Sequence, residues 1–260
     1  MSKIVRRMWE APAGSAAART RSLPGYPGDQ EPNEYHVGRK QMISDLVLVP
    51  ASGAPLAGDL VVPGPVRSVV VITEGSSSSR GSSRDRALAD TFHRAGMGTL
   101  LLDLLTELEK REDARSARHL FDIPFLAQRL VAAIDWLEQR PETAHVPLCL
   151  FGADTSALLA AAERPQRVSA VVIRGGRPDL TYDLLQRVQA PVLFVVGGDE
   201  TDVRINQEAA GKLSAPSQIH VVRGATHLFH EPGALEDIAT AARHWFVSHL
   251  ESGRRSGTGP

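Results

Sequence analysis

The sequence predicts an α/β protein whose mostly parallel sheet of about eight strands carries helices on both faces. Three observations carry this. Strand-length apolar runs recur after Pro65, helix-length segments alternate with them, and Gly, Pro and Asp punctuate the joins.

The elements follow in order. Residues 1–42 are expected to form a polar, disordered arm, because no apolar run of signal-peptide length follows the basic start MSKIVRRMW. SDLVLVPASGAPLAGDLVVP, from Ser44, reads as two β-branched strands around a Gly/Pro turn, an antiparallel hairpin at one sheet edge. RSVVVIT, the helix SSRDRALADTFHRAG, MGTLLLDL and a long helix through FLAQRLVAAIDWLEQR begin the parallel alternation. It continues with VPLCLFG, a helix from Thr155 to Glu163, VSAVVIRG and a short helix near Leu180 to Val188. APVLFVVGG, a helix near Asn206 to Leu213, QIHVVRG and a final helix through Trp245 complete it. The charged stretch ELEKREDARSARH is a solvated helix or loop placed to overhang the strand ends. One domain over 43–251 is expected, with 252–260 as a flexible tail of Ser, Gly and Arg.

A formal charge of -1 supplies no basic field for nucleic acid or an anionic membrane, which favours a small-molecule substrate. The apolar runs are too short to span a bilayer. A single cysteine, Cys149, excludes an intrachain disulfide and a cysteine-rich metal site. No cofactor, metal, nucleic acid or membrane is expected; a cytoplasmic location fits, and the oligomeric state stays open.

In such sheets the chemistry gathers at the carboxyl ends of the strands. Gly152-Ala153-Asp154-Thr155-Ser156 stands between a buried strand and a small-residue helix, so Asp154 projects from a sharp turn and the Thr155 N–H is a candidate oxyanion donor. Gly224-Ala225-Thr226-His227 follows the last strand and offers a base suited to neutral pH. Asp199, Glu200 and Asp202 follow the preceding strand; Glu200 is the foremost candidate to orient His227, with the other two as rivals. Glu74, Gly75 and Ser76 follow the first parallel strand, where a second backbone donor arises. Arg174 is a candidate substrate contact.

The order elbow, acid, histidine is that of the α/β-hydrolases, and the chain resembles their dienelactone hydrolase-like branch across roughly Ser44 to Leu250. DLLT at Asp103, FDI at Phe121, LFGADT, RGGRPDL at Arg174 and GATHLFHEPGALE at Gly224 carry the resemblance. Members of that branch usually have HGSGSSR where this chain has EGSSSSR, and GASTG where it has GADTS. The resemblance implies the α/β-hydrolase fold, while these departures, clustered at the site, point to altered or lost chemistry.

Serine-type acyl transfer does not survive the exchange, because attack by Asp154 on an ester would give a mixed anhydride less stable than the substrate. Two chemistries stay open. Asp154 can displace at saturated carbon, as in the epoxide hydrolases and haloalkane dehalogenases of the superfamily, with His227 activating water. Those relatives usually carry a cap after the sixth strand, and the segment between IRGG and APVLF leaves no room for one. Alternatively Asp154 and Glu74 share one proton and, with His227, run acid/base chemistry such as epoxide opening, dehydration or cyclisation. The remaining alternative is a catalytically degenerate member with a binding or assembly role.

Other chemistry-bearing residues have simpler explanations. Cys149 lies within a strand and is expected to be a buried core thiol. Ser156 occupies a position that needs a small residue, and His93, His119 and His145 suit surface or satisfied core positions. The run Ser76 to Ser79 with Arg80, and Arg177, suit turns, caps or surface ion pairs as well as anion binding.

Overall fold

A computed structural model describes residues 42–256 except 52, 74–80, 117 and 120, and only the backbone of 252–256. The expected arm and the loop holding Glu74, Gly75 and Ser76 lie outside the described residues.

Strands β1 (Met42–Ala51) and β2 (Ala54–Pro63) form the expected antiparallel hairpin, in register from Met42 opposite Pro63 to Ala51 opposite Ala54. Strands β3 (Val69–Thr73), β4 (Gly98–Leu102), β5 (Leu148–Gly152), β6 (Val168–Arg174), β7 (Val192–Val196) and β8 (Ser217–Val221) then build one eight-stranded sheet in the order β1-β2-β4-β3-β5-β6-β7-β8. β2 meets β4 antiparallel, and from β4 to β8 every pairing is parallel. All residues of β3, β4, β5 and β7 are buried, which is why these strands are written as unbroken apolar runs.

Side chains alternate between the faces, so Val69 and Val71 enter one core while Val70 and Ile72 enter the other. Helices α1 (Ser83–Arg94) and α7 (Ala234–Ser256) cover the Val70 face, where Phe92 of α1 packs 6.3 Å from Phe151 of β5 and 5.6 Å from Phe246 of α7. On the opposite face lie α3 (Ile123–Glu138), α4 (Ser156–Glu163), α5 (Tyr182–Leu185) and α6 (Glu200–Ala210). Local signals start these helices: Ser82 Oγ accepts the Asp85 N–H, and Asp122 accepts the Phe125 N–H ahead of Pro124.

The charged segment is helix α2 (Glu107–Ser116), with no buried residue of its own. It is tied down by charge. Glu109 accepts the Thr106 N–H in a capping box and binds Arg129 of α3 through two contacts, at 2.6 and 2.7 Å. Arg129 also donates to the Leu104 carbonyl at 2.7 Å and stacks 4.1 Å from the Phe125 ring centroid.

Two expected helices are corrected. α6 begins at Glu200, not near Asn206, because Asp199 accepts the N–H groups of both Thr201 and Asp202 and so starts the helix early. Between β6 and β7 a 3-10 turn (Pro178–Thr181) and the single turn of α5 replace the helix expected to Val188. α7 runs through Trp245 as expected and continues past residue 251 to Ser256, since each residue added to an existing helix closes another backbone hydrogen bond.

Candidate active site

The elbow is built on a glycine that cannot be replaced without movement. A Cβ at Gly152 would stand 2.9 Å from the Ala157 Cβ and 3.2 Å from the Asp154 carbonyl oxygen. Close approach of α4 to the end of β5 therefore requires Gly152. The following residues depart from the strained turn that a nucleophile elbow normally has. Phe229 is the one described non-glycine residue with positive φ, so Asp154 is outside the left-handed region. Its Oδ1 instead accepts the Ser156 N–H at 2.7 Å, the local bond that short acidic side chains offer to the backbone two residues on. The carboxyl group is thereby fixed to the first turn of α4.

Burial pushes the Asp154 pKa up, and hydrogen bonding from Ser156 opposes it without reversing the direction. Thr155 and Ser156 are both buried, and Thr155 with Thr73 at the end of β3 leaves two buried hydroxyl oxygens without a partner among the described residues. Arg174 ends β6, and Gly175 and Gly176 after it have φ of 73° and 88°. Gly176 lies on the elbow: a Cβ there would be 3.3 Å from the Asp154 Cα and 3.5 Å from the Thr155 N.

His227 is exposed on the turn after β8. That turn is held from three sides. The Phe229 N–H donates to the Thr226 carbonyl at 3.1 Å, the Thr226 N–H donates to the Glu231 carboxylate at 3.0 Å, and Arg84 of α1 donates through Nη2 to the Phe229 carbonyl at 2.9 Å. The Thr226 N–H also holds the Glu231 carboxyl below its usual range. Phe229 is 2% exposed and anchors the turn in the core beside α1, while a Cβ at Gly175 would meet its ring at 3.9 Å. The loop of Gly175 and Gly176 thus faces the Phe229 ring at one residue and the Asp154 backbone at the next. Arg84, Phe229 and Glu231 escaped the sequence argument as positioning groups; Phe229 and Glu231 are near enough to His227 in sequence to have signalled it, and Arg84 is not.

The acids after β7 are arranged otherwise than a triad requires. Asp199 is engaged as the α6 cap, and Glu200 is exposed on the first turn of that helix. Asp202 lies near Arg177, whose charged form is favoured first by its two bonds to Asp179 and less by Asp202. No hydrogen bond or ion pair joins His227 to any of the three among the described residues. No group of three or more His, Cys, Asp or Glu side chains that could hold a metal is found among them either. Cys149 is fully buried in β5, and burial raises its thiol pKa. His93 bonds the Thr99 hydroxyl at 2.8 Å beneath α1. No helix among the described residues is long and apolar enough to cross a membrane.

The dienelactone hydrolase family model matches residues 56–249. A dienelactone hydrolase from Anabaena variabilis, solved by crystallography, is 44% identical with a TM-score of 0.77, covering 81% of this chain and 99% of that one. Est1E from Butyrivibrio proteoclasticus shares the fold at 14% identity and a TM-score of 0.66, covering 79% of this chain and 99% of its own. Proteins from two strains of Mycobacterium tuberculosis that carry the description "Putative phosphoribosyl transferase" are 48% identical over 208 residues, 78% of this chain. The match covers 46% of their own length, so the chain spans about half of these curated relatives. The matched strands, the elbow and the histidine turn fall within one continuous family match, and the chain belongs to the dienelactone hydrolase family.

Proposed function

We propose that the chain is an enzyme acting on a small organic molecule, with Asp154 as general acid and His227 as general base. The carrying observation is the half-buried carboxyl of Asp154, whose Oδ1 is engaged by the Ser156 N–H and whose pKa desolvation pushes up. In its neutral form that oxygen is the acceptor, and Oδ2 carries the proton toward the substrate. A nucleophilic carboxylate must be ionised, and burial opposes ionisation, so acid catalysis is favoured over displacement and dehalogenation.

Epoxide opening suits these groups. Oδ2 gives its proton to the epoxide oxygen as a C–O bond breaks; water, or a hydroxyl of the same substrate, attacks the carbon and loses its proton to His227. His227 then releases its proton to solvent and Asp154 regains one from it, which restores both groups. Hydrolysis and cyclisation differ only in which oxygen attacks. In this proposal Glu74 adds a second carboxyl, and Thr155, Gly75, Ser76 and Arg174 contact polar parts of the substrate; Glu200, exposed on the first turn of α6 with no bond to His227 among the described residues, is assigned no part. The phosphoribosyl transferase description belongs to proteins about twice the length of their match to this chain, and it is not carried over.

A second reading, a catalytically degenerate member with a binding or assembly role, is supported by one observation. His227 has no acidic partner among the described residues.

Incubation with epoxide, haloalkane and lactone panels in 18O-labelled water tests these readings. Epoxide turnover that is lost in Asp154→Asn, with no label entering Asp154, supports the acid role. Label in the Asp154 peptide after single turnover identifies displacement and overturns it. Turnover unchanged in Asp154→Asn removes both chemistries, and a folded protein inert across the panels supports the degenerate reading.

A further inference from the structure

We propose that Arg84 is the positioning residue for His227, setting its turn by a bond to the backbone instead of by an acid from the β7 loop. The inference rests on the proposed role of His227 and adds a residue from outside the elbow, the acid loop and the histidine motif.

Three observations converge on it. Phe229, two residues after His227, is the one described non-glycine residue with positive φ, at 52°. A bulky residue keeps that conformation only where its surroundings impose it. Its ring is 2% exposed in the core beside α1, and its carbonyl accepts from Arg84 Nη2 at 2.9 Å across 145 residues of sequence. On the other side of His227, the Thr226 N–H is held by Glu231. The backbone is therefore clamped before and after the histidine, once from its own loop and once from α1, while no acidic side chain touches the imidazole among the described residues.

Arg84 suits this duty because it is half-buried on the first turn of α1, whose Leu88 and Phe92 are packed into the same core as Phe229. A rigid helix thus transmits its position to the turn.

The test uses full-length protein with 13C-labelled histidine, the His227 ring signal being assigned through His227→Gln. Arg84→Met keeps the stem and removes the donors; it is expected to shift and broaden the His227 signal and change its titration curve, leaving the His93 and His145 signals in place. Arg84→Lys, which retains a donor, is expected to restore the signal, and Glu200→Gln to leave it unmoved. With an active substrate, Arg84→Met is expected to lower kcat about tenfold or more with little change in KM. An unmoved His227 signal in Arg84→Met overturns the proposal, as does a signal that moves in Glu200→Gln and not in Arg84→Met. If Arg84→Met unfolds, Arg84→Lys decides alone: a retained wild-type signal supports the clamp, and a displaced signal in a folded protein overturns it. The spectra need no turnover, so failure of the proposed chemistry and failure of the clamp are read separately.

Discussion

Gly176 rests on the backbone of Asp154, so close that a Cβ would stand 3.3 Å from the Asp154 Cα. At φ 88° an alanine is also strained. Gly176→Ala is expected to cost about 1–2 kcal/mol in urea unfolding and to move the elbow. A loss below about 0.3 kcal/mol would mean that the loop yields freely.

Gly197, at the end of β7, makes the corresponding contact with the histidine turn. A Cβ there would lie 2.8 Å from the Ala225 carbonyl oxygen and 2.9 Å from the Thr226 carbonyl carbon. Backbone must move to admit it. Gly197→Ala is expected to destabilise by about 1–3 kcal/mol and to displace the His227 ring signal. An unchanged His227 signal would show that the turn is not held by this contact.

The Asp154 carboxyl sets a pH dependence of stability. Its folded pKa lies above the ordinary value of 3.8, so the native state keeps a proton that the unfolded chain has released, and stability falls as pH rises through that interval. Asp154→Asn removes this titration and keeps an oxygen for the Ser156 N–H. The variant is expected to melt above the wild type at pH 8, with the difference shrinking toward pH 4. Parallel melting curves at every pH would contradict the burial argument.

Glu109 has the opposite sign. Hydrogen bonding from Arg129 is the largest cause holding its pKa at about 2, below the ordinary 4.5. The stabilisation is complete above 4.5 and is lost as pH falls through about 2. Glu109→Gln is expected to be about 3 kcal/mol less stable at pH 7, because it leaves the buried Arg129 charge without its carboxylate. Denaturant unfolding should find the two proteins converging near pH 2; a constant gap would show that packing, not charge, is lost.

The sheet was legible because its central strands are buried on both faces. VVVIT, LCLFG and VLFVV admit no polar alternation and stand between helix-length segments. The start of α6 was not, since Glu200, Thr201 and Asp202 have the composition of a loop and only the Asp199 cap makes them helical. At the elbow, position and residue type were readable, as was the histidine turn. The bond from Ser156 to Asp154 depends on a side-chain rotamer, which sequence spacing does not specify. Arg84 gave no signal because its partner is a backbone carbonyl, which leaves no mark in residue identity.

The lone thiol of Cys149, sealed in β5 four residues before Ala153 at the elbow, gives the protein a built-in gauge of breathing motions. An alkylating reagent reaches it only when the sheet opens, so the rate of labelling under native conditions measures how often the layers beneath the elbow part.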